Sequence, residues 1–172
     1  PVGREDWRET QAAQALVLSG IIGRLRAHPE DFAAFYLVTL VDPWTFHWGV
    51  VDAAYNAKLA YVVTRSCYAP VLVNALHGTT VVRNGDGPLA ATASNLGGPL
   101  TGASLAVRLR DGLDRPVREL TFPGLEVAGD VAVSRLADLD LAGLPPDLYA
   151  LELRLLDSGG SEIARSLELF YL

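Results

Sequence analysis

The hydrophobic pattern of this chain changes its period once, near Pro70. Before that point Ala15, Leu18, Ile22 and Leu25 recur at the spacing of a helix face. Asp6 followed by Glu9 has the form of a capping box, with one side chain for the first free amides and a carboxylate near the positive helix end. A helix is therefore predicted from Asp6 until "HPED" stops the pattern at His28 and Pro29. Next, "FAAFYLVTLV", Phe32 to Val41, is apolar at nearly every position, as in a strand buried on both faces of a parallel sheet. Asp52 then has the character of an N-cap, and Tyr55, Leu59, Val62, Val63 and Ser66 predict one face of a second helix that cannot pass Pro70. Residues 1–69 read as helix, strand, helix.

After Pro70 the period shifts from about 3.6 to 2. Leu105, Val107 and Leu109 alternate with Ser104, Ala106 and Arg108 before a turn at Asp111 and Gly112. Tyr149, Leu151, Leu153 and Leu155 face one way, Glu152 and Arg154 the other, and "DSGG" turns the chain into a closing strand. Further strands are predicted at Val71 to Ala75, Thr79 to Arg83, Leu89 to Asn95, Val117 to Phe122 and Leu125 to Ser134. About seven short strands at regular spacing suit an antiparallel immunoglobulin-like β-sandwich over residues 70–172. The expected fold is mainly β with an α/β N-terminal part.

Composition narrows the function. With 172 residues, 50% of them hydrophobic and 20% charged, the chain can bury a real core. Its net charge of -6, single lysine and scattered arginines offer no basic stripe, so nucleic acid is not an expected partner. Neither is a membrane, since no apolar run reaches spanning length and no signal peptide is recognisable. Cys67 is expected to be a buried structural thiol. His28, His47 and His77 lack a second histidine or cysteine at ligand spacing, so no metal site is predicted. "NLGG" and "DSGG" lie between strands and read as turns, leaving no phosphate loop and no cofactor to expect. The absence of methionine fits a fragment, a domain or a processed product.

"LVDPWTFHWGVVDAAYNAKLAYVVTRSCYAPVLV" resembles the end of the catalytic barrel in family 2 glycoside hydrolases, the β-galactosidases, β-glucuronidases and β-mannosidases. There a final barrel strand runs into a segment of the type "NDPWP…WGVVDY.G.PK.AYY". Asp42, Pro43, Trp44, Trp48, Gly49, Val50, Val51, Asp52, Lys58, Ala60 and Tyr61 match it. "LPPDLYALELRLLDSGGSEIARS" is similar to the immunoglobulin-like sandwich that follows the barrel in many such enzymes. The resemblance implies a helix, strand, helix remnant of a (β/α)8 barrel over residues 1–69. It also implies a parent reaction, retaining hydrolysis of a β-linked sugar by two glutamates about 5 Å apart. In the family those glutamates lie upstream of everything matched here, so the chain alone is expected to be inactive. Asp42, before a proline in a turn, and Asp52, at a helix start, are given structural roles.

Mannosidase-type members often read "WQLND" on the last barrel strand, where this chain has Val38, Thr39, Leu40, Val41 and Asp42. Valines replace the tryptophan and the asparagine, removing a stacking surface and a hydrogen-bonding group from that part of a sugar pocket. The substrate-binding candidates are Trp44, His47 and Trp48. They either form a sugar-stacking rim or wedge their loop against its neighbours; packing is preferred for Trp48, and Trp44 is open between the two. Three readings compete: a non-catalytic C-terminal part of a glycosidase, an independent carbohydrate-binding or protein-interaction module, and a complete small hydrolase. The last is least favoured, because no nucleophile and base can be assembled. A two-sided apolar strand with no neighbour also predicts assembly. Phe32 to Val41 would pair with a second copy in a homodimer, meet missing N-terminal domains, or fold onto the sandwich through Phe35, Leu37 and Trp48.

Overall fold

In the computed structural model, residues 6–31, 39–42, 49–76, 80–83, 85–130 and 132–172 are described, the side chains of residues 6–9 excepted. Two helices come first, α1 (Asp6–Ala27) and α2 (Leu59–Cys67), followed by seven strands. These are β1 (Val71–Asn74), β2 (Leu89–Asn95), β3 (Leu100–Asp111), β4 (Pro116–Val127), β5 (Ala132–Leu139), β6 (Leu148–Leu156) and β7 (Glu162–Tyr171). The strands form two antiparallel sheets, one ordered β1-β2-β5 and the other β4-β3-β6-β7. A β-sandwich carrying two helices is the architecture. No described helix is long and apolar enough to cross a membrane.

Alternation builds the core. Leu105 pairs with Leu155, Val107 with Leu153 and Leu109 with Leu151 across β3 and β6, and all six side chains are buried. They meet Val73, Ala91, Ala93 and Leu139 of the opposite sheet. Tyr149 closes one end, its ring stacked on Phe170 at 5.6 Å and its hydroxyl donating to Pro145 O at 2.7 Å. The turns predicted at Asp111 and at "DSGG" are present, each built on an aspartate whose Oδ1 accepts backbone amides two and four residues on.

Three strand expectations need correction. Val117 to Phe122 and Leu125 to Ser134 are not separate strands: β4 runs through to Val127, and β5 begins only at Ala132. "PG" at 123–124 reads as a break, but β4 is a sheet edge, where a missing proline N–H costs no ladder bond, and Gly124 takes a positive φ of 68° at a register shift. Thr80 to Arg83 is not a strand either. Val81 makes an isolated bridge to Tyr171, and Thr79 lies outside the described residues.

The helical part departs further. α1 ends at Ala27 as expected, with Ala15 and Ile22 buried. The second helix does not start at Asp52. Its first residue is Leu59, and its buried face is Ala60, Thr64 and Cys67, while Leu59 and Val62 of the expected face point to solvent. Lys58 occupies the N-cap without a side-chain cap; Gln11 of α1 caps the helix from outside, its Oε1 accepting Leu59 N at 3.1 Å. The expected strand Phe32 to Val41 falls outside the described residues over 32–38. Of its end, Val41 makes a single parallel bridge to Val51.

Arg26 joins the helices to the sandwich. Its guanidinium is buried and donates to Cys67 O at 2.7 Å, to Ala69 O, to Pro70 O at 3.0 Å, and to both Ser94 O and Ser94 Oγ at 3.2 Å. Cys67 and Ala69 carry carbonyls at the negative end of α2, where a cation is favoured. Ile22, Cys67 and Leu72 pack beside it, bringing α1, α2 and β1 together.

Candidate functional site

Three of the residues matched to the glycosidase segment, Asp42, Gly49 and Lys58, converge on one small network. Asp42 is 6% and Lys58 7% exposed, and Lys58 Nζ donates to Asp42 Oδ1 at 3.2 Å and Oδ2 at 3.1 Å. The same ammonium donates to Gly49 O at 2.7 Å, and Gly49 N donates to Asp42 Oδ1 at 2.6 Å. From α1, Gln14 Nε2 donates to Gly49 O at 3.2 Å. Backbone bonds frame the site, Asp42 N to Val51 O at 2.8 Å, Val50 N to Leu40 O and Lys58 N to Val50 O at 3.0 Å. Gly49 admits no side chain, since a Cβ there would sit 2.5 Å from Asp42 N and 2.6 Å from Val41 C. A buried ion pair tied to two backbone groups is a structural device.

This network holds the two ends of segment 43–48. Trp44, His47 and Trp48, the substrate-binding candidates, lie in that segment and outside the described residues, as do Phe35, Leu37 and Val38. Lys58 is the residue whose role sequence reasoning missed. One lysine set between Ala57, Leu59 and Ala60 was the available signal, because an isolated charge in an apolar stretch must find a buried partner or reach solvent. Gln14 gave no signal at all.

The other ionisable candidates have structural partners. Asp52 closes a turn rather than capping a helix: its Oδ1 accepts Ala54 N at 2.9 Å and Asn56 N at 2.8 Å, and Asn56 Nδ2 reaches Oδ2 at 3.0 Å. These bonds, the Asn56 side chain foremost, hold its carboxyl below the usual range. Glu168 on β7 accepts Ala75 N at 2.9 Å, Leu76 N at 2.7 Å and Ser166 Oγ at 3.2 Å, and burial pushes its carboxyl above the usual range. Burial also pushes the Cys67 thiol up to about 11, which makes it a poor nucleophile at neutral pH.

His28 is less isolated than its sequence position suggests. With Glu30 and Asp31 it presents ligand atoms within 4.8 Å of one another, in the turn after α1. Glu30 and Asp31 are exposed there, and Glu30 is held below its usual range, first by a backbone bond and then by His28. A groove on the outer face of the larger sheet, about 210 Å³, is lined by Arg108, Glu119, Glu152 and Arg154, charges that pair with one another or with Glu162 and Arg165.

No family model matches the chain, and no curated protein matches it with significance. Solved structures do. The exo-β-D-glucosaminidase CsxA matches over 100% of this chain and 20% of its own, with a TM-score of 0.75 and 19% identity. A complex of the Amycolatopsis orientalis exo-chitosanase CsxA matches over 96% and 19%, at 0.73 and 20% identity. The β-D-mannosidase from Dictyoglomus thermophilum matches over 94% and 19%, at 0.68 and 17% identity. The chain thus spans about a fifth of the length of the enzymes it matches. The resemblance carried by Asp42, Gly49 and Lys58 holds at the level of architecture: this chain has the fold of one part of glycosidases of the family 2 kind.

Proposed function

We propose that this chain is the non-catalytic C-terminal part of a glycoside hydrolase acting on β-linked sugars. Residues 1–69 complete the end of a (β/α)8 catalytic barrel, and residues 70–172 are an immunoglobulin-like domain packed behind it. The observation that carries the reading is the match of the whole chain to only a fifth of an exo-β-D-glucosaminidase. The β1-β2-β5 sheet facing β4-β3-β6-β7 supports the immunoglobulin-like assignment, as does Tyr149, whose hydroxyl returns to the backbone four residues upstream at the start of β6. Val17, Ile21 and Val62 support a missing neighbour: on the helices they are 59%, 52% and 56% exposed, an apolar surface suited to burial against the rest of a longer chain or a second copy. Trp44, His47 and Trp48 contribute a rim to the sugar site of the assembled enzyme.

The test is an assay of the purified chain on 4-nitrophenyl β-glucosaminide, β-mannoside and β-galactoside. No turnover is expected. Turnover that survives repurification and disappears on replacing an aspartate or glutamate of this chain would overturn the non-catalytic assignment.

A further inference from the structure

We infer that the outer face of the larger sheet carries a binding site for one uncharged pyranose ring, seated over Ala106 in the groove between Thr121 and Arg154. The inference goes beyond the proposed function, since the site lies on the sandwich and uses none of residues 1–69.

Two-residue alternation makes the groove. Leu105, Val107 and Leu109 point into the core, so Ala106 and Arg108 of β3 point outward. Strand register sets Ala106 between Thr121 of β4 and Arg154 of β6, and Arg108 between Glu119 and Glu152. A methyl group thus stands where its neighbours carry longer side chains, and the sheet surface dips there into a groove of about 210 Å³. Pockets for drug-sized ligands run from roughly 300 to 1,000 Å³, so this one suits a single ring.

The charges around the groove select the class of ligand. Arg108 Nε donates to Glu119 Oε1 at 2.8 Å, and Arg154 Nε donates to Glu162 Oε2 at 2.7 Å. Glu152 Oε1 accepts from Arg165 Nη2 at 2.6 Å, while its Oε2 faces Arg108 Nη1 at 3.8 Å. Arg108, Arg154, Glu119 and Glu152 line the groove with charges that cancel, so an anion or a cation meets its own sign beside every partner. Hydrogen-bonding capacity is what remains. Each guanidinium keeps N–H donors, and each carboxylate lone pairs, beyond those its ion pair uses, and Thr121 adds an exposed hydroxyl. Donors and acceptors set side by side around a small floor match a ring of hydroxyl groups, each of which both donates and accepts. Glu152 is shared between guanidiniums from β3 and β7 with its side chain only 13% exposed, so this wall of the groove needs little ordering when a ligand arrives.

The experiment is an amide NMR titration of the whole chain with mannose, with galactose and with inorganic phosphate. At least one sugar is expected to shift the amides of Ala106, Thr121 and Arg154 saturably, with a Kd on the order of 1 mM. Ala106→Ile fills the dip without removing a charge and is expected to weaken the sugar about tenfold; Thr121→Val, of similar shape, about threefold. The spectra also report whether each variant is folded, and if Ala106→Ile is not, Thr121→Val decides. No shift with either sugar, sugar shifts that the folded variants leave unchanged, or phosphate saturating the same amides more tightly than sugar would each overturn the site. Hydrolysis is read separately, so failure here leaves the C-terminal assignment standing.

Discussion

Gly49 and Gly23 show how the same substitution separates two kinds of crowding. At Gly49 an added Cβ meets backbone on both nearest contacts, Asp42 N and Val41 C, and the ion pair holds that backbone in place. At Gly23 the contact is Asn74 Nδ2 at 2.2 Å, the end of a side chain, and the position lies inside α1, where alanine is the better helix former. Gly49→Ala is therefore expected to cost about 3 kcal/mol, and Gly23→Ala to stay within about 1 kcal/mol of the parent. Urea unfolding of the two variants compares them directly, and equal losses would mean that the neck of segment 43–48 is not as tightly held as its distances indicate.

At the scale of elements, the two residues just after β1, Ala75 and Leu76, are held to β7 by one carboxyl, that of Glu168. Because burial raises the pKa of Glu168, the folded state takes up its proton more readily than the unfolded chain does. Its contribution to stability is full below the usual glutamate range and is lost as pH rises from that range through the raised value. Asp52 and Asp111, held low by their turn bonds, act in the opposite sense and lose their contribution as the solution is acidified. Glu168→Gln is expected to flatten the fall above the usual glutamate range and leave the acid limb in place, as read by thermal melts across pH. An unchanged profile would show that the amide bonds from Ala75 and Leu76 offset burial in full.

The β elements were the legible ones, because two-residue alternation survives in the sequence wherever one face is buried, as Leu105, Val107 and Leu109 show. The helical part was less so. Asp52 carries the same side chain whether it caps a helix or closes a turn with Asn56, and only the fold decides. Arg26 left no trace, since its partners at Cys67, Ala69 and Pro70 are carbonyls common to every residue type. The residues named for sugar contact lie in segment 43–48, outside the described residues; what the fold displays is the network flanking that segment, Asp42, Gly49, Lys58 and Gln14.

For the whole molecule, Arg26 and the Ile22, Cys67, Leu72 cluster are the seam between two structures that otherwise have cores of their own. Arg26→Met keeps the aliphatic stem but strands carbonyls of the α2 end and Ser94. It is expected to cost about 3 kcal/mol and to split one cooperative transition into two, the helical pair releasing first. Hydrogen exchange along α1 and β6 reads the order; a single transition with both elements released together would show that apolar packing alone couples them.

Lys58 has one more consequence, because it is the only lysine in the chain. With its ε-amine enclosed beside Asp42, the folded surface offers nothing to lysine-directed reagents. Cleavage by a lysine-specific protease, and acylation of this ε-amine, must wait for the same local opening. The rate at which such a protease cuts this protein is a clock for that one event, ticking at a single address.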